Sequence, residues 1–116
     1  MTSTRSSAVS PDGVNLGPAE RIPPGEGRVF TVGDVRVAVF RTRDGGVYAT
    51  QADCPHKQGP LADGLIGDGV VTCPLHARKW ALASGAPVGN DCPPLATYPV
   101  LVTEAGELLL VLRKAA

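Results

Sequence analysis

Two short segments that each pair a cysteine with a histidine constrain this chain more than any other feature of its sequence. They read Cys54-Pro55-His56 and Cys73-Pro74-Leu75-His76, with sixteen residues between them. The chain has two histidines and three cysteines, so both histidines and two of the cysteines lie here. Proline fixes φ and has no backbone N–H, which favours a rigid loop in each segment before a metal binds. The fold must therefore present two loops whose thiolates and imidazoles can share one metal site.

Short apolar runs between glycine- and proline-containing turns predict an all-β domain. The chain holds 14 glycines and 11 prolines among its 116 residues, which is typical of short strands joined by many turns. Val35, Val37 and Val39 alternate with other residues after a predicted hairpin turn at Gly33-Asp34, as expected for a strand. No amphipathic helix of three turns is visible. We predict an antiparallel β sandwich or partly open barrel, with strands at residues 28–32, 35–40, 47–50, 70–72, 80–83, 96–103 and 107–112.

Residues 1–18 are expected to form a disordered tail, and residues 19–116 a single folded domain. The first segment is rich in Ser, Thr, Gly and Pro, and it offers too little apolar surface to offset the entropy of ordering. The formal net charge is zero, which gives no indication of binding to nucleic acid or to an anionic membrane. Apolar runs such as Leu108–Leu112 are far shorter than the roughly 20 residues of a membrane span. Because no signal-peptide pattern is visible, we expect the chain in the cytoplasm.

The two cysteine–histidine segments allow four kinds of site. An odd number of cysteines does not suit a secreted disulfide framework and favours reduced thiols. Zinc accepts two cysteines and two histidines, but zinc fingers usually pair cysteine with cysteine and histidine with histidine. A disulfide between Cys54 and Cys73 would leave both histidines unexplained, and a catalytic Cys–His pair would not need the pattern twice. The fourth and favoured site is iron–sulfur, with the two thiolates on one iron and the two imidazoles on the other.

The two segments resemble the ligand loops of Rieske iron–sulfur proteins. The wider pattern, from about Arg21 to Arg113, resembles the small subunit of assimilatory NAD(P)H-dependent nitrite reductase. The residues that carry this likeness are Cys54-Pro55-His56-Lys57-Gln58-Gly59-Pro60-Leu61, Cys73-Pro74-Leu75-His76, Leu82, Gly85, Asp91-Cys92-Pro93-Pro94 and Tyr98-Pro99-Val100.

The resemblance implies one 2Fe–2S cluster per chain, held by Cys54, His56, Cys73 and His76. It implies a Rieske-type fold in which loops at about residues 53–94 form a small cluster-binding subdomain. The chain would carry electrons and would not be catalytic alone, because it shows no pattern for binding NAD, flavin or sirohaem. Nitrite would be reduced to ammonium on a separate large subunit that bears sirohaem and flavin. Two alternatives stay open, namely a ferredoxin that serves an aromatic-ring dioxygenase and a structural subunit whose cluster is vestigial.

The residues around the ligands imply a low reduction potential for a Rieske centre. Rieske clusters span about −150 to +300 mV, well above all-cysteine clusters, because two neutral imidazoles replace two thiolate charges. Respiratory Rieske proteins add a disulfide between the two loops, and Ser and Tyr hydroxyls near the cluster. Here Gly59 and Leu75 stand at the disulfide positions, and Arg78 and Trp80 stand at those of the Ser and the Tyr. With fewer hydroxyl donors to the sulfurs, the potential should lie below about +150 mV.

Other residues near the ligands are assigned structural roles. Gly59, Gly64 and Leu75 are expected to let backbone N–H groups approach the cluster, and a simple turn is an equal alternative for Gly64. Trp80 is expected to anchor the core beneath the cluster. Cys92 is redundant as a ligand, so we expect a structural, partly buried thiol there.

Three cations stand around the ligand loops: Lys57, Arg78 and Lys79. Ordinary solvated charges would account for them. The functional alternative is a docking group for an acidic or cofactor-bearing partner surface, because complementary charge steers association and fixes its register.

Overall fold

The structure is a computed structural model that describes residues 13–54, 60–74 and 77–111. Its regular elements are almost all β-strands, so the all-β prediction is confirmed. Among the described residues the only helical segments are two 3₁₀ turns, at Ala19–Arg21 and Leu61–Asp63, and no helix is long and apolar enough to cross a membrane. The strands are β1 (Gly13–Pro18), β2 (Glu26–Val32), β3 (Val35–Arg41), β4 (Val47–Gln51), β5 (Leu65–Gly67), β6 (Val70–Thr72), β7 (Lys79–Ala81), β8 (Pro87–Val88), β9 (Thr97–Tyr98), β10 (Val100–Val102) and β11 (Glu107–Val111).

The strands pair antiparallel and form three sheets. Their orders are β1-β11-β10, β2-β3-β4-β9 and β5-β6-β7-β8. We call the first two sheets the base and the third the small sheet. Apolar side chains of β3, β4 and β11 pack together between the two sheets of the base, which makes the base a sandwich.

Strand β3 is buried on both of its faces. Val37 and Val39 pack against β11 inside the base. Ala38 and Phe40 point the other way, because successive side chains of a strand alternate. They belong to a second core, which also contains Val71 and Trp80 of the small sheet. The small sheet is therefore seated on the outer face of the β2-β3-β4-β9 sheet, and β3 lies at the centre of the molecule.

The prediction of a disordered tail is wrong for its last six residues, which form β1. This strand pairs with β11, from Gly13 opposite Val111 to Pro18 opposite Glu107. The Asn15 side chain holds the pairing, since its Nδ2 donates to Glu107 Oε1 (2.7 Å) and its Oδ1 accepts the Gly17 N–H (2.7 Å). The twelve residues before β1 lie outside the described residues.

A single strand predicted at residues 96–103 is in fact two strands that belong to different sheets. Strand β9 pairs with β4, whereas β10 pairs with β11. Pro99 stands between them, and its carbonyl accepts the N–H of Val111 (2.8 Å). Proline cannot donate to a sheet, so the chain changes sheets at this residue. Strands β5 and β8 lie in segments that the sequence indicates as loops.

Candidate metal centre

Cys54 and Cys73 are buried in one core, although they lie in different loops. They are 1% and 2% exposed, and both belong to the second core together with Leu61, Val71 and Trp80. Cys73 directly follows β6, and Cys54 lies three residues beyond β4. The fold thus brings the two predicted cysteine ligands into one apolar region that excludes water.

The first ligand loop is closed at its base by backbone contacts. Asp53 and Pro60 form an isolated β-bridge, and the Leu61 N–H donates to the Ala52 carbonyl (3.1 Å). The two described ends of this loop therefore lie side by side. The predicted ligand His56 belongs to this loop and lies outside the described residues.

The second ligand loop connects β6 to β7, and backbone hydrogen bonds join its described ends. The Cys73 N–H donates to the Arg78 carbonyl (2.8 Å), and the Ala77 N–H donates to the Cys73 carbonyl (3.0 Å). Ala77 has a φ of 58°, in the left-handed region that residues with a Cβ seldom occupy. Backbone strain of this kind clusters at functional sites. The predicted ligand His76 comes between Cys73 and Ala77 in the sequence and lies outside the described residues.

Trp80 connects the small sheet to the segment that follows β8. It is fully buried on β7 opposite Val71, and its Nε1–H donates to the Pro93 carbonyl (3.0 Å). This bond holds residues 89–94, which we call the covering segment, against the second core. Its burial confirms Trp80 as a core residue, and its place beneath a cluster stays a prediction.

Sequence reasoning misses Asn90, which fixes the other side of the covering segment. Its Nδ2 donates to the carbonyls of Lys79 (3.0 Å) and Val88 (3.1 Å), and its Oδ1 accepts the Cys92 N–H (2.9 Å). The Gly-Asn-Asp run indicates a turn, but not which carbonyls the amide would reach. Cys92 is half-buried and packs against the second core, as predicted.

Gly64 serves packing rather than approach to a cluster. Its N–H donates to the Leu61 carbonyl (2.9 Å), and its φ of −78° is open to any residue. A Cβ at this position would lie 2.2 Å from the Thr72 carbonyl oxygen. Glycine is needed because the 3₁₀ turn presses on β6 immediately before Cys73. The other two residues expected near the cluster by their backbone, Gly59 and Leu75, lie outside the described residues.

The predicted basic group divides into two different environments. Lys79 is exposed on the outer face of the small sheet, where it pairs with Thr72 and Val88 on the neighbouring strands. Arg78 is half-buried, and its Nε is buried with no hydrogen-bond partner among the described residues. The third cation, Lys57, lies outside the described residues.

The described side chains suit an iron–sulfur group. Two buried cysteines lie in one core, and the backbone of Cys73 is bonded to that of Arg78, whose buried Nε–H needs an acceptor. An iron–sulfur group would fit these residues. The cysteine thiolates would bind its iron, and its negatively charged sulfurs would accept a hydrogen bond from the Arg78 Nε–H. The described residues include no group of three metal-ligating side chains, since both histidines lie outside them.

Known proteins resemble this chain over most of its length. It matches the model of the Rieske [2Fe-2S] domain over residues 13–99. It is 34% identical over 99 residues to the biphenyl dioxygenase ferredoxin subunit of Pseudomonas sp. (strain KKS102), a match that covers 84% of this chain and 89% of that protein. It is 38% identical over 89 residues to the NAD(P)H nitrite reductase of Emericella nidulans, covering 69% of this chain but only 8% of that protein. A solved structure described as an NADH-dependent nitrite reductase small subunit from Mycobacterium tuberculosis has a TM-score of 0.80 at 25% identity, covering 90% of this chain and 96% of that one.

Proposed function

The chain belongs to the Rieske 2Fe–2S family, and from that premise we propose that it carries single electrons to or from a larger catalytic subunit. The ligands would be Cys54, His56, Cys73 and His76, holding one cluster per chain. The observation that carries the proposal is the burial of both cysteines in one core at the ends of two anchored loops. When bound, a Rieske cluster accepts and releases one electron.

The protein's own residues hold the ends of the ligand loops and keep water away from Cys54 and Cys73. The apolar core around the cysteines excludes solvent, and low polarity strengthens every charge interaction inside it. The Trp80–Pro93 bond keeps the covering segment in place. Because Arg78 and Trp80 stand where respiratory Rieske proteins have hydroxyl donors, the midpoint potential should lie below about +150 mV.

Spectroscopy of the purified protein tests this step. We expect a brown protein with two irons and two acid-labile sulfides per chain, and a one-electron potentiometric titration. A colourless protein with one zinc per chain would overturn the assignment. Cys92→Ser provides the control, because it removes the third thiol and should leave the iron content unchanged.

The partner that we propose is the large subunit of an NAD(P)H-dependent nitrite reductase. That subunit would bear sirohaem and flavin and would reduce nitrite to ammonium in nitrate assimilation in the cytoplasm. The likeness to nitrite reductase sequences and to a nitrite reductase small-subunit structure supports this choice. The present chain would relay electrons or stabilise the complex and would have no turnover alone.

The outer face of the small sheet offers a surface on which such a partner could dock. The pairing Leu65–Thr72–Lys79–Val88 sets these residues in one row across all four strands. They line a shallow groove of about 390 Å³. Leu65 is 79% exposed, and Lys79 is the one cation of the row. We propose that an acidic surface with an apolar contact point seats here, because Thr72 of this row directly precedes the predicted ligand Cys73.

Reconstitution tests the choice of partner. Nitrite-dependent oxidation of NAD(P)H by the large subunit should require this chain, and Cys73→Ser should abolish the stimulation. A chain that binds the large subunit but stimulates equally well after His76→Ala removes the cluster would instead be a structural subunit. Absence of both binding and stimulation would exclude the nitrite reductase assignment.

A matched pair of surface variants tests the docking face. Leu65→Asp should raise the KM for this chain about tenfold, or about 1.4 kcal/mol, and Lys79→Glu should act in the same direction with a strong dependence on salt. Leu101→Asp is the control, since Leu101 is 49% exposed on β10 in the base. Equal effects of the Leu65 and Leu101 variants would refute a specific docking face.

A ferredoxin of an aromatic-ring dioxygenase is the second candidate, and one observation favours it. The match to the biphenyl dioxygenase ferredoxin subunit covers 84% of this chain and 89% of that protein, as expected for a protein that acts as a separate carrier. Reduction of an oxygenase component by the reduced chain, without binding to a sirohaem subunit, would establish this function in place of the first.

A further inference from the structure

The two neighbouring cations Arg78 and Lys79 point to opposite sides of the small sheet. Lys79 is paired with Thr72, and Trp80 with Val71. Trp80 is fully buried whereas Lys79 is exposed, so the inward face of β7 is the face of Trp80. Arg78 lies two residues before Trp80 and therefore shares its side by strand alternation.

Arg78 also lies directly across from Cys73. The Cys73 N–H donates to the Arg78 carbonyl (2.8 Å), which extends the pairing of β6 and β7 by one step beyond Thr72 and Lys79. Residues opposite each other in an antiparallel pair have Cβ atoms about 4.5–5.5 Å apart. The side chain of Arg78 thus leaves the backbone on the side of the Cys73 thiol.

The Nε–H of Arg78 is a buried donor that the described protein does not satisfy. A buried donor left without an acceptor destabilises the fold, and more so on a charged group. Buried polar groups therefore nearly always have a partner. A sulfur of a group bound at Cys73 would be such a partner, because thiolates and sulfides accept hydrogen bonds and carry negative charge.

We propose that Arg78 stabilises the reduced state of the bound cluster, its Nε–H donating a hydrogen bond to a sulfur on the Cys73 side. This inference rests on the proposed function. It gives Arg78 a role at the cluster in place of the docking role predicted from the sequence, whereas Lys79 keeps the docking role. Reduction adds one electron to the cluster, so a half-buried cation whose buried Nε–H donates to a sulfur favours the reduced form. Lys79 carries the same charge but faces water, where the high dielectric constant and dissolved salt, with a Debye length of about 8 Å at physiological ionic strength, weaken its influence.

Potentiometric titration of the loaded protein with dithionite and mediators, followed by visible absorption, tests the proposal. Arg78→Met should lower the equilibrium constant for reduction at least tenfold, which is about 59 mV for one electron. Lys79→Met is the matched control and should change it less than twofold. Equal shifts in the two variants, or no shift in either, would overturn the proposal.

Arg78→Lys separates the hydrogen bond from the charge and is the less disruptive variant if Arg78→Met fails to fold. A lysine places a methylene where the arginine has its Nε, so it keeps the charge and loses this donor. We expect a threefold to fivefold lower equilibrium constant, and an unchanged value would exclude the Nε–H bond. These results can be told apart from failure of the proposed function. If that function is wrong, the unaltered protein itself holds no cluster and gives no titration.

Discussion

The base and the small sheet are stabilised in different ways. The longer strands of the base, β1 to β4 and β11, have five to seven residues each, close to the common length of strands in globular proteins. Their core consists of aliphatic side chains. The strands of the small sheet have only two or three residues, so each contributes few ladder hydrogen bonds.

The small sheet compensates for its short strands with specific contacts. Phe40 of the base packs into the core beneath it, and the Trp80–Pro93 hydrogen bond ties it to the covering segment. Glycines such as Gly64 allow close contact between backbone segments. Two of the small sheet's buried neighbours are cysteines that we assign as metal ligands. We infer that apolar packing between its two sheets contributes most of the stability of the base. The small sheet depends more on specific contacts, which the proposed cluster would complete.

The largest expected effect comes from Cys73→Ser, which should separate the two regions. Loss of a ligand should remove the cluster completely. The small sheet then loses the stabilising free energy that cluster binding contributes to its folding. Hydrogen exchange should become at least tenfold faster in β6 and β7, while β3 and β4 keep their protection. Mass spectrometry of peptides from both regions measures this difference.

Cys92→Ser is the control for that experiment, because Cys92 packs at the edge of the core and is not assigned as a ligand. It should keep its iron and its exchange pattern. Equally fast exchange in β3 and in β6 after Cys73→Ser would show that the two regions unfold together, and it would contradict the comparison.

Gly64→Ala should produce the next largest effect. Its new Cβ would lie 2.2 Å from the Thr72 carbonyl oxygen, and neither backbone segment can move without disturbing Cys73. We expect a loss of about 3 kcal/mol in the free energy of unfolding, as for other overpacked sites. Gly67→Ala is the matched control on β5, since a Cβ there meets nothing within 4 Å. Similar stabilities of the two variants by denaturant titration would refute the close contact.

The sequence predicts the features that depend on short-range patterns, such as strand alternation and ligand spacing. The alternation in β3 is visible in the valines that enter the base, and the two cysteine loops are visible in their spacing. Neither pattern states that β3 is buried on its second face as well, because that depends on where the small sheet is seated.

Long-range contacts explain what the sequence does not predict. Strand β1 reads as a tail because its Gly, Asn and Pro residues have low strand propensity, and it forms only by pairing with β11 near the other end of the chain. Gly64 looks like any turn glycine until the Thr72 carbonyl is placed beside it. The buried Nε of Arg78 is likewise visible only once β6 and β7 are paired.

Trp80→Phe should have a moderate effect, and it should act on the small sheet more than on the base. Phenylalanine keeps a ring in the second core but loses the bond to the Pro93 carbonyl. The lost hydrogen bond and the smaller ring together should cost about 2 kcal/mol. The covering segment should loosen first, so release of iron to a chelator should accelerate more than thermal unfolding of the base. A variant that releases iron at the unaltered rate would show that the segment is held by other contacts, such as those of Asn90.

The smallest expected effect lies in the base, at the turn between β3 and β4. The Thr42 hydroxyl and the Gly46 N–H both donate hydrogen bonds to the Asp44 carboxylate and lower its pKa below the ordinary value of 3.8. A carboxyl whose pKa falls on folding adds stability above its unfolded pKa and loses it as the pH drops through the folded pKa. Asp44→Asn should therefore lower the Tm slightly near neutral pH and make no difference in strong acid. A Tm difference between the two proteins that stays constant across this pH range would show that the turn is stabilised without the charge of Asp44.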